Sequence, residues 1–140
     1  MNVTCSSAGP VTLTVGANNA NGAYYGNIVN GSGTVGLTKV GNGVLTLGSS
    51  SSTFTGPTRI EGGTLRATVD GDCMGGNAGI LVFAGGDLEL ANDASLTITK
   101  RNTEVLADTT ITTDRLRSAG DGVYFTMGTM AIGDNTIDVK

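Results

Sequence analysis

Leu37-Thr38-Lys39-Val40-Gly41-Asn42-Gly43-Val44-Leu45-Thr46-Leu47-Gly48, then a serine run, then Thr53-Phe54-Thr55-Gly56-Pro57-Thr58-Arg59-Ile60-Glu61-Gly62-Gly63-Thr64-Leu65-Arg66-Ala67 is the stretch that decides the fold. It reads as strand, turn, strand and turn, with no helix between. A glycine-led apolar strand then returns at a near-fixed interval. Gly43-Val-Leu-Thr-Leu47 recurs as Gly63-Thr-Leu-Arg-Ala67 and as Gly86-Asp-Leu-Glu-Leu90. The interval is roughly 20–23 residues, and periods of this size mean a coil repeated along an axis.

The same alternation extends outward in both directions. Val11-Thr-Leu-Thr-Val15 is a half-buried strand by its period of two. Tyr24-Tyr-Gly-Asn-Ile-Val29 reads as one further strand, with one tyrosine turned in and one out. Ile80-Leu-Val-Phe83, Leu96-Thr-Ile-Thr99, Val123-Tyr-Phe-Thr-Met127 and Ile137-Asp-Val139 complete the set. Asn21-Gly22, Asn30-Gly31 and Asn42-Gly43 mark corners, because Asn-Gly pairs suit positive backbone angles. Residues 70–79 are the longest turn-like stretch. Residues 100–117 fit least well: Glu104-Val-Leu-Ala107 would allow one helical turn, but the surrounding β-branched threonines favour strand. Gly128-Thr-Met-Ala-Ile132 lies two such intervals after Gly86 and reads as its continuation, with Thr110-Ile-Thr112 near the intermediate position.

These landmarks predict an all-β, parallel β-solenoid of about six coils, each of about 20–23 residues, with little or no α-helix. The inward residues are expected to be Leu13, Val15, Leu45, Leu47, Ile60, Leu65, Leu88, Leu90, Leu96, Ile98, Met130 and Ile132. The outward positions between them are largely threonine. Composition agrees. The 140 residues suit a single domain, residues 1–140, with 23 Gly, 21 Thr, six aromatics and no Trp or His. A thin column of stacked aliphatics needs few large rings.

At these residues a family becomes recognisable. Leu37 to Leu47, Thr53-Phe-Thr-Gly56 and Ile60-Glu-Gly-Gly-Thr-Leu65 closely resemble the autotransporter-associated β-strand repeat of bacterial passenger domains and other long surface proteins. Tyr24-Tyr-Gly-Asn-Ile28 with Gly31-Ser-Gly33 resembles the segment before that repeat. Met74 to Gly79, Ile80 to Phe83 and Gly85-Gly-Asp-Leu88 resemble the coil after it. The likeness is best over residues 22–91. It implies a right-handed parallel β-helix, an extracellular or bacterial cell-surface setting and a scaffold role without a reaction of its own.

Little in the chain offers chemistry. The lack of histidine excludes a Ser-His-Asp triad and histidine metal sites. Gly31-Ser-Gly33 and Gly41-Asn-Gly43 have no following helix or lysine to make a phosphate loop. Net charge is −4 and the basic residues form no stripe, which argues against nucleic acid. No apolar run is long enough to span a membrane as a helix. Met1 to Cys5 lacks the basic head and apolar stretch of a signal peptide. Cys5 and Cys73, far apart in the chain, read as two small buried thiols, with a bond to another subunit as the alternative.

The acidic residues are the remaining candidates. Asp70, Asp72, Asp87, Asp114 and Asp121, with Arg115 and Arg117, are the groups a polysaccharide-cleaving β-helix would cluster on one face. Paired carboxylates act on sugar bonds, and stacked ones hold calcium. The simpler reading is that Asp sits in turns to bond local backbone. The expectation is therefore no catalytic, cofactor or metal site. Arg59 and Arg66 flank Glu61 as surface ion-pair partners. The competing function is a carbohydrate-binding or carbohydrate-cleaving β-helix.

Partners follow from charge and open ends. Residues 1–69 hold three basic and one acidic side chain, net +2. Residues 70–140 hold five and eleven, net −6. The expected partners are other copies end to end, or adjoining coils of a longer chain, with glycans as a further candidate.

Overall fold

The computed structural model describes residues 1–69, 71–76, 78–98, 102–116 and 124–140. The chain winds as a parallel β-solenoid of about five turns, close to the six expected. The first coil holds β1 (Asn2–Val3), β2 (Val11–Val15) and β3 (Gly22–Tyr24). The second holds β4 (Asn27–Ile28), β5 (Val35–Lys39) and β6 (Val44–Leu47). Next come β7 (Thr58–Ile60), β8 (Thr64–Ala67) and a short 3-10 turn, Gly71–Met74. Then follow β9 (Leu81–Phe83), β10 (Asp87–Ala91) and β11 (Leu96–Ile98). The upper coils hold β12 (Thr103–Val105), β13 (Thr109–Asp114), β14 (Phe125–Met127), β15 (Met130–Ala131) and β16 (Ile137–Val139). There is no α-helix among the described residues.

Two long sheets and one broken one form the walls. Face 1 stacks β2, β5, β7, β9, β12 and β15, and face 2 stacks β3, β6, β8, β10, β13 and β16. Among the described residues, face 3 has the pairs β1–β4 and β11–β14, with irregular backbone between them. There Thr53 N–H donates to the Ile28 carbonyl at 3.0 Å and Gly76 N–H to that of Phe54 at 2.8 Å, so the winding continues without strand geometry.

Parallel stacking sets one coil on the next about 4.8 Å away, so like positions form columns. The glycine-led repeats predict the register of face 2: Leu45 pairs with Leu65, and Leu65 with Leu88. Leu45, Leu65 and Leu88 are buried, as are Leu47, Leu90, Leu96, Ile98 and Ile60. Outward positions carry Thr46, Arg66 and Glu89 in the next column. Gly63 has a φ of +59, and a Cβ there would stand 2.4 Å from the Gly43 carbonyl oxygen, so only glycine fits this corner.

Several expectations need correcting. Gly128 to Ile132 does not continue the column of Gly86. Met130 pairs with Thr103 and Ala131 with Glu104, on face 1. Above Leu88 lies Ile111, the intermediate position expected, and above Ile111 lies Val139. The cause is a longer last step. Thr103 to Met130 and Thr109 to Ile137 each take more chain than Leu45 to Leu65 or Leu65 to Leu88. Both faces alternate alike, so a slipped period lands on the wrong face.

Tyr24 to Val29 is not one strand either. The chain turns a corner at Tyr25 and Gly26, leaving Tyr24 packed on the core and Tyr25 exposed. Ile132 is 38% exposed although inward in register, because no coil lies above it. Leu13, Val15 and Met130 are half-buried for the same reason at the two ends. Residues 102–116 are strand-rich and form no helical turn. Val123 and Thr99 lie outside the described residues.

Candidate functional site

The corner between faces 1 and 2 gathers most of the chain's polar chemistry. Strand parity places Lys39 in the column Val15, Lys39, Ile60, Phe83, Val105, between apolar neighbours. The residue is 1% exposed. Its Nζ reaches the corner and donates to the carbonyls of Val40 at 2.7 Å, Gly41 at 2.8 Å and Gly62 at 3.0 Å. Three ammonium protons thus meet three acceptors, the last from the next coil. Burial lowers its pKa from the ordinary lysine value. The sequence reading does not single out Lys39. Alternation through Val35 and Leu37 turns it inward, but a charged residue there contradicts ordinary patterning.

Four acidic and amide residues of the corner bond the neighbouring coil. Asn19 Oδ1 accepts from Asn42 N–H at 2.9 Å, and Asn21 Oδ1 from Val44 N–H at 2.8 Å. Asn19 reaches this bond from a left-handed backbone with a φ of 59. Asp87 Oδ1 accepts from Thr110 N–H at 2.8 Å, and Asp108 Oδ1 from Thr136 N–H at 2.7 Å. Each of these side chains ties one coil to the next one up. On the way to face 1, Asn30 Oδ1 accepts from Val35 N–H at 2.9 Å and from Thr55 N–H at 3.3 Å.

The catalytic reading of the aspartates finds no geometry among the described residues. Asp87 lies at the start of β10, level with Thr110. Asp114 lies level with Ala91, four strand positions further along, or roughly 13 Å. Its Oδ1 accepts from Arg115 N–H at 2.7 Å, a local turn bond. Neither faces the other across a groove that would hold a sugar. Asp70, Asp121 and Arg117, and the side chain of Asp72, lie outside what the structure describes. No group of three metal-ligating side chains occurs among the described residues.

The surface ion pairs differ in kind. Arg59 Nε meets Glu61 Oε1 at 2.7 Å within one coil. Arg66 Nε does not share Glu61 but lies 2.8 Å from Glu89 Oε2 on the next coil, without the alignment of a hydrogen bond. Both thiols are buried, and neither is in a disulfide. Cys5 Sγ lies 3.1 Å from the Gly33 carbonyl oxygen, and Cys73 sits in the 3-10 turn that fills face 3.

The site thus offers no nucleophile with a base, no metal cluster and no anion cradle among its described residues. It offers a stapled corner. No curated protein and no solved structure matches the chain. Residues 37–67 match the family model of the passenger-associated-transport-repeat, and the coils around them form the β-solenoid expected of an autotransporter passenger repeat.

Proposed function

We propose that this chain is a non-enzymatic structural segment of an extracellular bacterial passenger or surface protein. It acts as a stiff spacer or stalk, and its open ends take further coils or further copies head to tail. A passenger repeat is a structural repeat and implies a surface or secreted protein. The observation that carries the reading is the use made of the polar side chains at the corner. Asn19, Asn21, Asp87 and Asp108 are bound to backbone of the next coil, and Lys39 to three carbonyls. A catalytic or ligand-binding face needs groups left free for the substrate.

The competing carbohydrate reading has weaker support. Tyr25 is 70% exposed and its ring lies over Gly48, but one ring is a small platform. The test is incubation with acidic and neutral polysaccharides, following both product release and retention of the protein on immobilised glycan. No cleavage and no retention is the expected result. Cleavage that disappears in Asp114→Asn would overturn the structural reading, as would retention that disappears in Tyr25→Ala.

A further inference from the structure

Asn21-Gly22, Asn30-Gly31 and Asn42-Gly43 stand at corners of the solenoid, and an asparagine followed by glycine is chemically fragile. A short run of covalent bonds joins the asparagine Cγ to the nitrogen of the next residue, so a rotation brings the two together. Glycine leaves that nitrogen unshielded on a backbone that turns freely. Hydrogen bonds that hold the amide, or the N–H, oppose the attack.

The fold holds the pairs differently. Asn30 is half-buried, and its Oδ1 accepts from Val35 N–H and Thr55 N–H while its Nδ2 donates to Thr55 Oγ1 at 2.8 Å. Asn21 is exposed, but its Oδ1 accepts from Val44 N–H on the next coil. Asn42 is exposed, and its side chain makes no hydrogen bond among the described residues. Its own backbone N–H is fixed by Asn19 Oδ1 at 2.9 Å, whereas the Gly43 N–H meets no acceptor among the described residues. At Asn42-Gly43, then, both the amide and the attacking nitrogen are unengaged. The pair lies in the second coil, with Ala20 against Gly43 on one side and Gly63 on the other, so its setting does not depend on either end of the chain.

We propose that Asn42 is a self-modification site, at which the folded chain and water convert the asparagine to aspartate or isoaspartate. The Gly43 nitrogen loses its proton to base and bonds to Asn42 Cγ. The Cγ–Nδ2 bond breaks, and the amide nitrogen takes up a proton and leaves as ammonia. Water then opens the cyclic imide. Opening at the side-chain carbonyl gives aspartate. Opening at the main-chain carbonyl gives isoaspartate, in which the backbone runs through the side chain and gains a methylene. This corner has no room for a longer backbone: a Cβ at Gly43 would stand 2.2 Å from the Ala20 carbonyl oxygen, and one at Gly63 2.4 Å from the Gly43 carbonyl oxygen. Isoaspartate therefore loosens the corner, and the aged chain is both more acidic and less stable than the fresh one.

The test is to age the purified full chain in warm, mildly alkaline buffer, folded and guanidinium-unfolded side by side. Peptide mapping by mass spectrometry reads conversion at each pair, and isoaspartate-specific methylation reads the product. In the folded chain Asn42 should convert at least about tenfold faster than Asn21 or Asn30, since releasing a held amide costs roughly that factor in rate. In the unfolded chain the three should convert at similar rates. Asn42→Gln keeps an exposed amide but lengthens the side chain past easy ring closure, and should stay unmodified. Circular dichroism melting should show aged wild type below fresh wild type and no such drop in aged Asn42→Gln. Equal rates at the three pairs in the folded chain, or faster conversion at Asn21 or Asn30, overturn the site. So does the same rate order in the unfolded chain, because local sequence and not the fold would then set it. Aged chain that carries isoaspartate at residue 42 and melts like fresh chain overturns the loosening. Each of these results leaves the spacer reading standing, because the polysaccharide experiment decides that one.

Discussion

Leu65 and Val139 occupy the same inward column of face 2, yet one is fully buried and the other 66% exposed. The difference is neighbours, not residue type. The middle coils step evenly, from Leu45 to Leu65 to Leu88, and have a coil on each side. The last coil arrives after a longer step, from Ile111 to Val139, and is covered on one side only. In a compact globule, burial belongs to a place in the sequence. In a solenoid it belongs to a pair of contacts above and below, and a coil without both is only half stabilised.

The largest effect should come from placing the same charge at both positions. Leu65→Asp puts a carboxylate into a dry column with no partner and should abolish folding. Val139→Asp should melt within about 0.5 kcal/mol of the parent, as surface changes do. Thermal unfolding followed by circular dichroism reads both. Similar melting of the two variants would mean that burial in the column does not depend on the coils above and below.

How far the sequence reveals this contrast depends on the coil. Gly43, Gly63 and Gly86 predict the register of β6, β8 and β10 because each leads a strand after a tight corner of near-constant length. The same logic misplaces Gly128, since the longer step shifts the next alternating strand onto face 1. Ile132 turns inward as expected, but exposure depends on a neighbouring coil that alternation cannot report. For the candidate site, Asp87 is legible in the sequence as one of the acidic candidates. That Asp87 and Asp108 bond the next coil rather than their own turn is not, because a bond across 23 or 28 residues leaves no local pattern. Lys39 is hidden by its type, although parity places it inside.

Lys39 is the charged exception within the buried columns. Lys39→Met keeps the length of the side chain and its apolar packing but leaves the carbonyls of Val40, Gly41 and Gly62 without their donor. The expected loss is about 3 kcal/mol, on the scale of orphaned buried acceptors. Urea unfolding would measure it, and a loss under about 0.5 kcal/mol would mean the ammonium is not a staple. The variant also isolates a pH effect. Burial lowers the Lys39 pKa in the folded chain, so the unfolded chain binds that proton more tightly. The lysine's contribution to stability should therefore grow as pH climbs from the lowered value towards about 10.4 and be flat below it. The difference between wild type and Lys39→Met across that range reads the slope, and a difference that shrinks with pH would contradict the sign.

The smallest expected effect is a pair of opposite signs in one column. Thr58 and Thr103 are both buried on face 1, each paired with Leu81 from opposite sides. Thr58 Oγ1 donates to the Met74 carbonyl at 2.7 Å, which anchors the 3-10 turn that fills face 3. Thr103 Oγ1 is buried with no hydrogen-bond partner among the described residues. Valine has nearly the shape of threonine without the hydroxyl. At Thr58 the exchange leaves the Met74 carbonyl short of a donor and should cost about 1 kcal/mol. At Thr103 it removes a desolvated hydroxyl that gains nothing, and should stabilise by about 1 kcal/mol. Melting temperatures of the two variants should move in opposite directions by a few degrees, since about 1 kcal/mol shifts a domain of this size by roughly 3 to 5 °C. If Thr103→Val also lowers the melting temperature, the hydroxyl has a bonding partner in the folded chain, and the two threonines are the same kind of residue.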